Sequence, residues 1–108
     1  MYSFPLGEEE TVVKKGHGSF HSGHDAWSGA FYLTNERLVF VGYAMDIRTK
    51  YMDEIHLTDV TEVKGGKTFF LIPNVLDITA NRDRKWKVIV EGRGAWLTAI
   101  QDELAKQG

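Results

Sequence analysis

The sequence has no cysteine among its 108 residues. Disulfides and thiolate metal sites are therefore excluded, and the redox compartment is left open. Surplus positive charge is also missing: 13 Lys and Arg face 15 Asp and Glu, for a formal net charge of −2. Broad nucleic-acid binding needs a cationic field that displaces counterions, so that class is set aside. No run approaches the roughly 20 apolar residues of a membrane-spanning helix. The start, Met1 to Gly7, lacks the basic residues and long apolar segment of a signal peptide. A cytoplasmic location is expected, peripheral to a membrane where lipid is the partner. No G-x-G-x-x-G or phosphate loop stands between a strand and a helix. There is no repeat and no low-complexity tract. What is present is ordinary globular usage, with 43% apolar and 26% charged residues. One domain over 1–108 is expected, with a lead-in over 1–10.

The organising stretch is Gly29 to Phe40. Two apolar runs flank the polar Thr34-Asn35-Glu36-Arg37, which reads as a β-hairpin. With Asn35-Glu36 as the turn, Leu33 faces Leu38 and Phe31 faces Phe40. Alternation then places Phe31, Leu33, Leu38 and Phe40 on one side, the core side. Tyr32, Val39, Val41 and Tyr43 fall on the other. A contiguous apolar patch there marks an interface, unless the lead-in from Tyr2 to Leu6 covers it.

Strand one runs from Val12 towards Phe20 and carries Gly16 and Gly18, which mark a bend or a close approach. A turn at Ser22-Gly23, flanked by His21 and His24, sets Gly18 opposite Trp27. Strand two spans about Ala26 to Thr34 and strand three Arg37 to Tyr43. Strand four is Tyr51 to Leu57. Thr58-Asp59 bends the chain into a short strand five, Val60 to Val63. Lys64-Gly65-Gly66-Lys67 reads as a turn. Val75 to Ala80 forms strand six, Asn81 to Arg84 a turn, and Trp86, Val88 and Val90 mark strand seven. From Gly92 the period changes. Trp96, Leu97, Ile100 and Leu104 have helical spacing, with Gln101, Asp102, Glu103 and Lys106 opposite. A helix over 93–106 is expected to seat Trp96 and Ile100 over a barrel mouth.

The segment Gly29-x-Phe31-Tyr32-Leu33-Thr34-Asn35-x-Arg37-Leu38-Val39-Phe40 resembles the signature of the GRAM domain, a member of the pleckstrin-homology-like superfamily. The resemblance continues in Ile55-His56-Leu57-Thr58-Asp59-Val60, in Ile72-Pro73-Asn74 with Leu76 and Ile78, and in Trp86 and Val88. It ends in the helix containing Trp96. It implies a mainly β fold: a pleckstrin-homology-like barrel or sandwich of about seven antiparallel strands capped by one C-terminal helix. The matching residues are folding positions, and none is a catalytic or ligand residue of the family.

Three clusters are candidates for chemistry. His17, His21 and His24 with Asp25 offer nitrogen and oxygen donors, but their spacing matches no zinc pattern, and a solvated hairpin tip uses the same residues. No metal and no cofactor are expected. Asp53 and Glu54 are adjacent on a strand, point to opposite faces and do not form an acid–base pair. Ser19 and Ser22 lie near histidines without a carboxylate to orient them. No catalysis is expected. The basic turns come last. Arg48 and Lys50 follow strand three, and Arg82 and Arg84 follow strand six. On a pleckstrin-homology-like frame these turns share one rim, where the superfamily often binds phosphoinositide headgroups. Guanidinium forks and ammonium groups suit phosphate oxygens. Asp46 and Asp83 dilute that charge.

The sequence thus points to a non-catalytic GRAM-like binding or adaptor module for a protein or an anionic lipid. The alternative is a self-associating structural protein, a homo-oligomer joined through Tyr32, Val39, Val41 and Tyr43.

Overall fold

Alternating apolar side chains need a shared face, and seven strands supply it. The structure, a computed structural model, describes residues 4–22, 25–43, 50–68 and 72–107. The strands are β1 (Val12–Ser22), β2 (Asp25–Thr34), β3 (Arg37–Tyr43), β4 (Lys50–His56), β5 (Val60–Thr68), β6 (Ile72–Ala80) and β7 (Arg84–Val90). A 3₁₀ turn, Leu57–Asp59, joins β4 to β5, and helix α1 (Arg93–Gln107) follows β7. The strands form one antiparallel sheet in the order β4-β3-β2-β1-β7-β6-β5. The first strand in sequence is therefore the central one.

The central hairpin has the register its alternation dictates, with Leu33 opposite Leu38 and Phe31 opposite Phe40. These four join Phe20, Ile55, Leu76, Ile78, Trp86 and Val88 in one buried cluster. The sheet curls until β7 meets β4. Arg84 of β7 donates to both Asp53 carboxylate oxygens at 2.8 Å and to the Glu54 carbonyl at 3.0 Å. Helix α1 plugs the cluster with Trp96 and Ile100, both buried, as the helical spacing predicts. The Phe31 and Trp96 ring centres are 4.7 Å apart.

Three sequence expectations change. First, the β1–β2 hairpin is slipped by two residues. Gly18 pairs with Gly29, Phe20 with Trp27 and Ser22 with Asp25. Because the slip is even, the side chains from Lys14 to Ser22 keep their faces; a bulge between Val12 and Lys14 breaks the register at the start of the strand. A bare residue is needed at Gly18, where a Cβ would sit 2.5 Å from the Ile89 carbonyl oxygen. Second, Lys64 to Lys67 is not a turn. β5 continues to Thr68, pairing Gly65 with Leu76 and Gly66 with Val75. Gly65 is small because the Arg93 guanidinium of α1 lies over it; a Cβ would be 2.6 Å from Nη1. Third, Glu103 is buried beside Ile100 rather than solvated, with Lys106 Nζ 3.0 Å from its carboxylate. Strand four also ends one residue early, and Leu57 enters the 3₁₀ turn as a buried residue.

Behind the hairpin lies a second, smaller apolar layer. Ala30, Tyr32, Val39 and Val41 are buried there, with Phe4 packed on them. The Phe4 and Tyr32 rings meet edge to face at 4.8 Å. The outer face is therefore covered by the lead-in. Tyr32, Val39 and Val41 are not an open interface, which corrects that expectation; the side chain of Tyr43 lies outside the described residues.

Candidate functional site

The lead-in is anchored by charge. Arg37 donates from Nε to Glu10 Oε2 at 2.7 Å and from Nη2 to Glu10 Oε1 at 3.0 Å. Its Nη2 also donates to the Pro5 carbonyl at 2.7 Å, and its Nη1 pairs with Glu54. Thr34 Oγ1 donates to Glu10 Oε2 at 2.6 Å, and the Gly7 amide donates to Oε1 at 2.9 Å. Arg37 and these further donors hold the buried Glu10 carboxyl at a pKa of about 2 against the usual 4.5. This is a structural clamp. The Asp53 carboxylate is similarly engaged. It accepts from Arg84, from Trp86 Nε1 at 3.1 Å and from Tyr51 OH at 3.4 Å. Burial, and then the neighbouring Asp53 charge, push the Tyr51 phenol upward.

Those bonds bear on the basic-rim residues. Arg84 is chelated by Asp53. Arg82 lies in the β6–β7 turn with φ +66°, next to Asn81, whose amide donates to the Asp59 carbonyl at 2.9 Å. Arg48 and the side chain of Lys50 fall outside the described residues. The structure therefore brings no four-cation cluster together among the described residues. For the histidines, the slipped register sets His21 opposite Ala26 and His17 opposite Ala30. His24 is outside the described residues, and His56 is on β4 beside Glu54. Among the described residues no group of three His, Asp or Glu is placed to hold a metal ion.

A small concavity of about 290 Å³ brings Arg82 and Arg84 together with Asp59, Ala80 and Asn81. Two larger concave surfaces remain among the described residues. One, of about 440 Å³, lies on the outer face of β5 to β7. Its charges alternate across the strands, Lys87 opposite Asp77 and Asp77 opposite Lys64. Such a face is self-compensated. The other is an open groove of about 770 Å³ along β1. It is lined by Lys14, Lys15 and His17 of β1, by Ser28 and Gly29 of β2, by Ile89 of β7, and by Glu91 and Trp96. Gly16 and Gly18 leave bare backbone between them. Trp96 lies over Gly16, where a Cβ would be 3.2 Å from its ring. Lys14 Nζ is 5.3 Å from the Trp96 ring centre, and Lys15 Nζ is 5.9 Å from that of Tyr32. These lysines are held by cation–π contacts, with their charges available at the groove. Gly16 and Gly18 marked a bend or a close approach in the sequence, and the structure shows the close approach. That Trp96 would meet Gly16 across 80 residues was not visible there.

No protein-family model and no curated protein matches the chain. Solved structures do match. The C-terminal domain of an unknown protein from Leishmania infantum superposes with a TM-score of 0.75 at 12% identity, over 89% of this chain and 85% of that one. The Vps36 N-terminal PH domain gives a TM-score of 0.70 at 16% identity, over 94% of this chain and 84% of that one. The chain has the pleckstrin-homology-like fold. At such identities the likeness is one of fold alone. The PH-like sheet here carries its open groove beside the central strand, where β7 leaves β1 and α1 begins. No helix among the described residues is long and apolar enough to cross a membrane.

Proposed function

We propose that the chain is a non-catalytic, GRAM-like binding module and that its partner is a protein. The GRAM-like assignment rests on the run from Gly29 to Phe40, whose Arg37 ties the lead-in onto the PH-like sheet. Its lack of catalysis is supported by Asp53 and Glu54. Both carboxylates, the adjacent candidates for acid–base work, are engaged by arginine, Asp53 by Arg84 and Glu54 by Arg37. The observation that carries the choice of partner is the open groove beside β1, which suits an extended peptide. Of the candidate rim cations, Arg84 already grips the Asp53 carboxylate, a pair that a phosphate would have to displace.

Sedimentation with vesicles separates the two partner classes. The chain is expected to pellet equally with neutral vesicles and with vesicles containing phosphatidylserine or phosphoinositide at low salt. Preferential pelleting with the anionic vesicles would replace the protein reading with a lipid one and return attention to Arg48, Lys50, Arg82 and Arg84.

A further inference from the structure

Strand edges recruit other strands because their backbone N–H and C=O groups face outward without partners. The outer edges of this sheet are β4 and β5. Each meets a side chain or a helix. Arg84 donates to the Glu54 carbonyl on β4, and α1 packs against β5 with Arg93 over Gly65. A further edge lies inside the sheet. β7 pairs with β1 only from Gly18 to His21, then turns away through Gly92, whose φ is +69°. Val12 to Gly16 thus has β2 on one side and, among the described residues, no strand on the other. Helix α1 stands across the gap, with Trp96 over Gly16.

We infer that this gap takes an extended acidic peptide segment of a partner protein, added as a strand along β1 between Val12 and Gly16. The inference rests on the protein-binding reading above. Five residues of β1 span about 16 Å, enough for a strand of ordinary length. The groove of about 770 Å³ meets this edge at Lys14, Lys15 and Gly16 and continues over the paired Gly18 and Ser19, and it is the right order for a ligand cleft. Beyond it, Val12 and Val13 are 43% and 45% exposed, apolar area for a guest strand to cover. Charge selects the guest. Lys14 and Lys15 are successive strand residues, so they present cations on both faces of the edge. Among the described groove-lining residues Glu91 alone is acidic against Lys14 and Lys15; it follows Val90, the partner of Gly18, and so stands at the Gly16 end of the gap. Carboxylates on the guest beside Lys14 and Lys15 complement that arrangement.

The test uses the ¹⁵N-labelled chain and two synthetic octapeptides, one alternating valine with glutamate and one alternating valine with lysine. Amide shifts and hydrogen exchange are read residue by residue. The glutamate peptide is expected to shift and protect alternate amides between Val12 and Gly16. The lysine peptide is expected to bind at least about tenfold more weakly, a difference of about 1.4 kcal/mol. Lys14→Glu with Lys15→Glu should reverse that order. Lys14→Gln with Lys15→Gln, which keeps side-chain length, should bring the two peptides towards equality. If the lysines only guard the edge, neither peptide binds. That result, equal binding by wild type, or shifts confined to another surface overturns strand addition and leaves the binding-module reading standing. Preferential pelleting with anionic vesicles overturns both.

Discussion

One guanidinium, that of Arg37, joins the lead-in to the sheet. It reaches Glu10, Glu54 and the Pro5 carbonyl, and it lies 5.0 Å from the centre of the Phe4 ring. Removing one partner of a buried pair leaves the other charge stranded, which costs about 3–5 kcal/mol. The same pair makes stability depend on pH. Folding lowers the Glu10 pKa from 4.5 to about 2, so the unfolded chain binds the proton more readily. The contribution is fully present above the unfolded value and is lost as pH falls through the folded one. A shift of this size corresponds to about 3 kcal/mol. Chemical denaturation at steps between pH 5 and pH 2 is expected to show wild type losing that much more than Glu10→Gln. Coincident acid limbs for the two proteins would contradict the clamp. Little in the residue pattern warns of it. Glu8-Glu9-Glu10 reads as a solvated run, and its partner lies 27 residues away on another element.

At the scale of elements, the lead-in acts as a lid on the second apolar layer. Deleting residues 1–7 removes Phe4 from Tyr32, the Pro5 acceptor from Arg37 and the Gly7 donor from Glu10. Tyr32, Val39 and Val41 then face water. The truncated chain is expected to show a sedimentation coefficient that climbs with concentration more steeply than that of the full chain. Identical behaviour of the two would mean that something else covers the layer. The elements themselves differed in how readable they were. The Asn35-Glu36 hairpin was legible because buried residues fill both strands, and a shift of one would expose all of them. β1 was less so. Its Gly16-His17-Gly18-Ser19 run has little apolar area to fix a register, and the pairing with β2 is two residues from the expected one. β5 misled for the opposite reason. Gly65 and Gly66 carry the usual mark of a turn, yet Gly65 is bare to admit Arg93, a contact set by tertiary packing.

For the molecule as a whole, β1 is the strand that both halves of the sheet share, and its two ends have different company. Gly18 to His21 lies between β2 and β7, while Val12 to Gly16 lies between β2 and the groove. The alternation of apolar residues from Phe20 to Val90 sufficed to read a mainly β fold, and the helical spacing from Trp96 to Leu104 its plug. The groove was not readable, because it arises where β7 parts from β1, and no residue pattern along either strand records that parting. The site was legible only as fragments: a glycine bend, two lysines and a helical tryptophan. Native-state amide hydrogen exchange of the unliganded chain tests this arrangement directly, since exchange reports opening and pairing residue by residue. The account predicts slow exchange throughout Gly18 to His21, and between Val12 and Gly16 an alternation of slow amides facing β2 with fast amides facing the groove. Uniformly slow exchange from Val12 to His21 would show that the edge is already paired, and the binding surface described here would not exist.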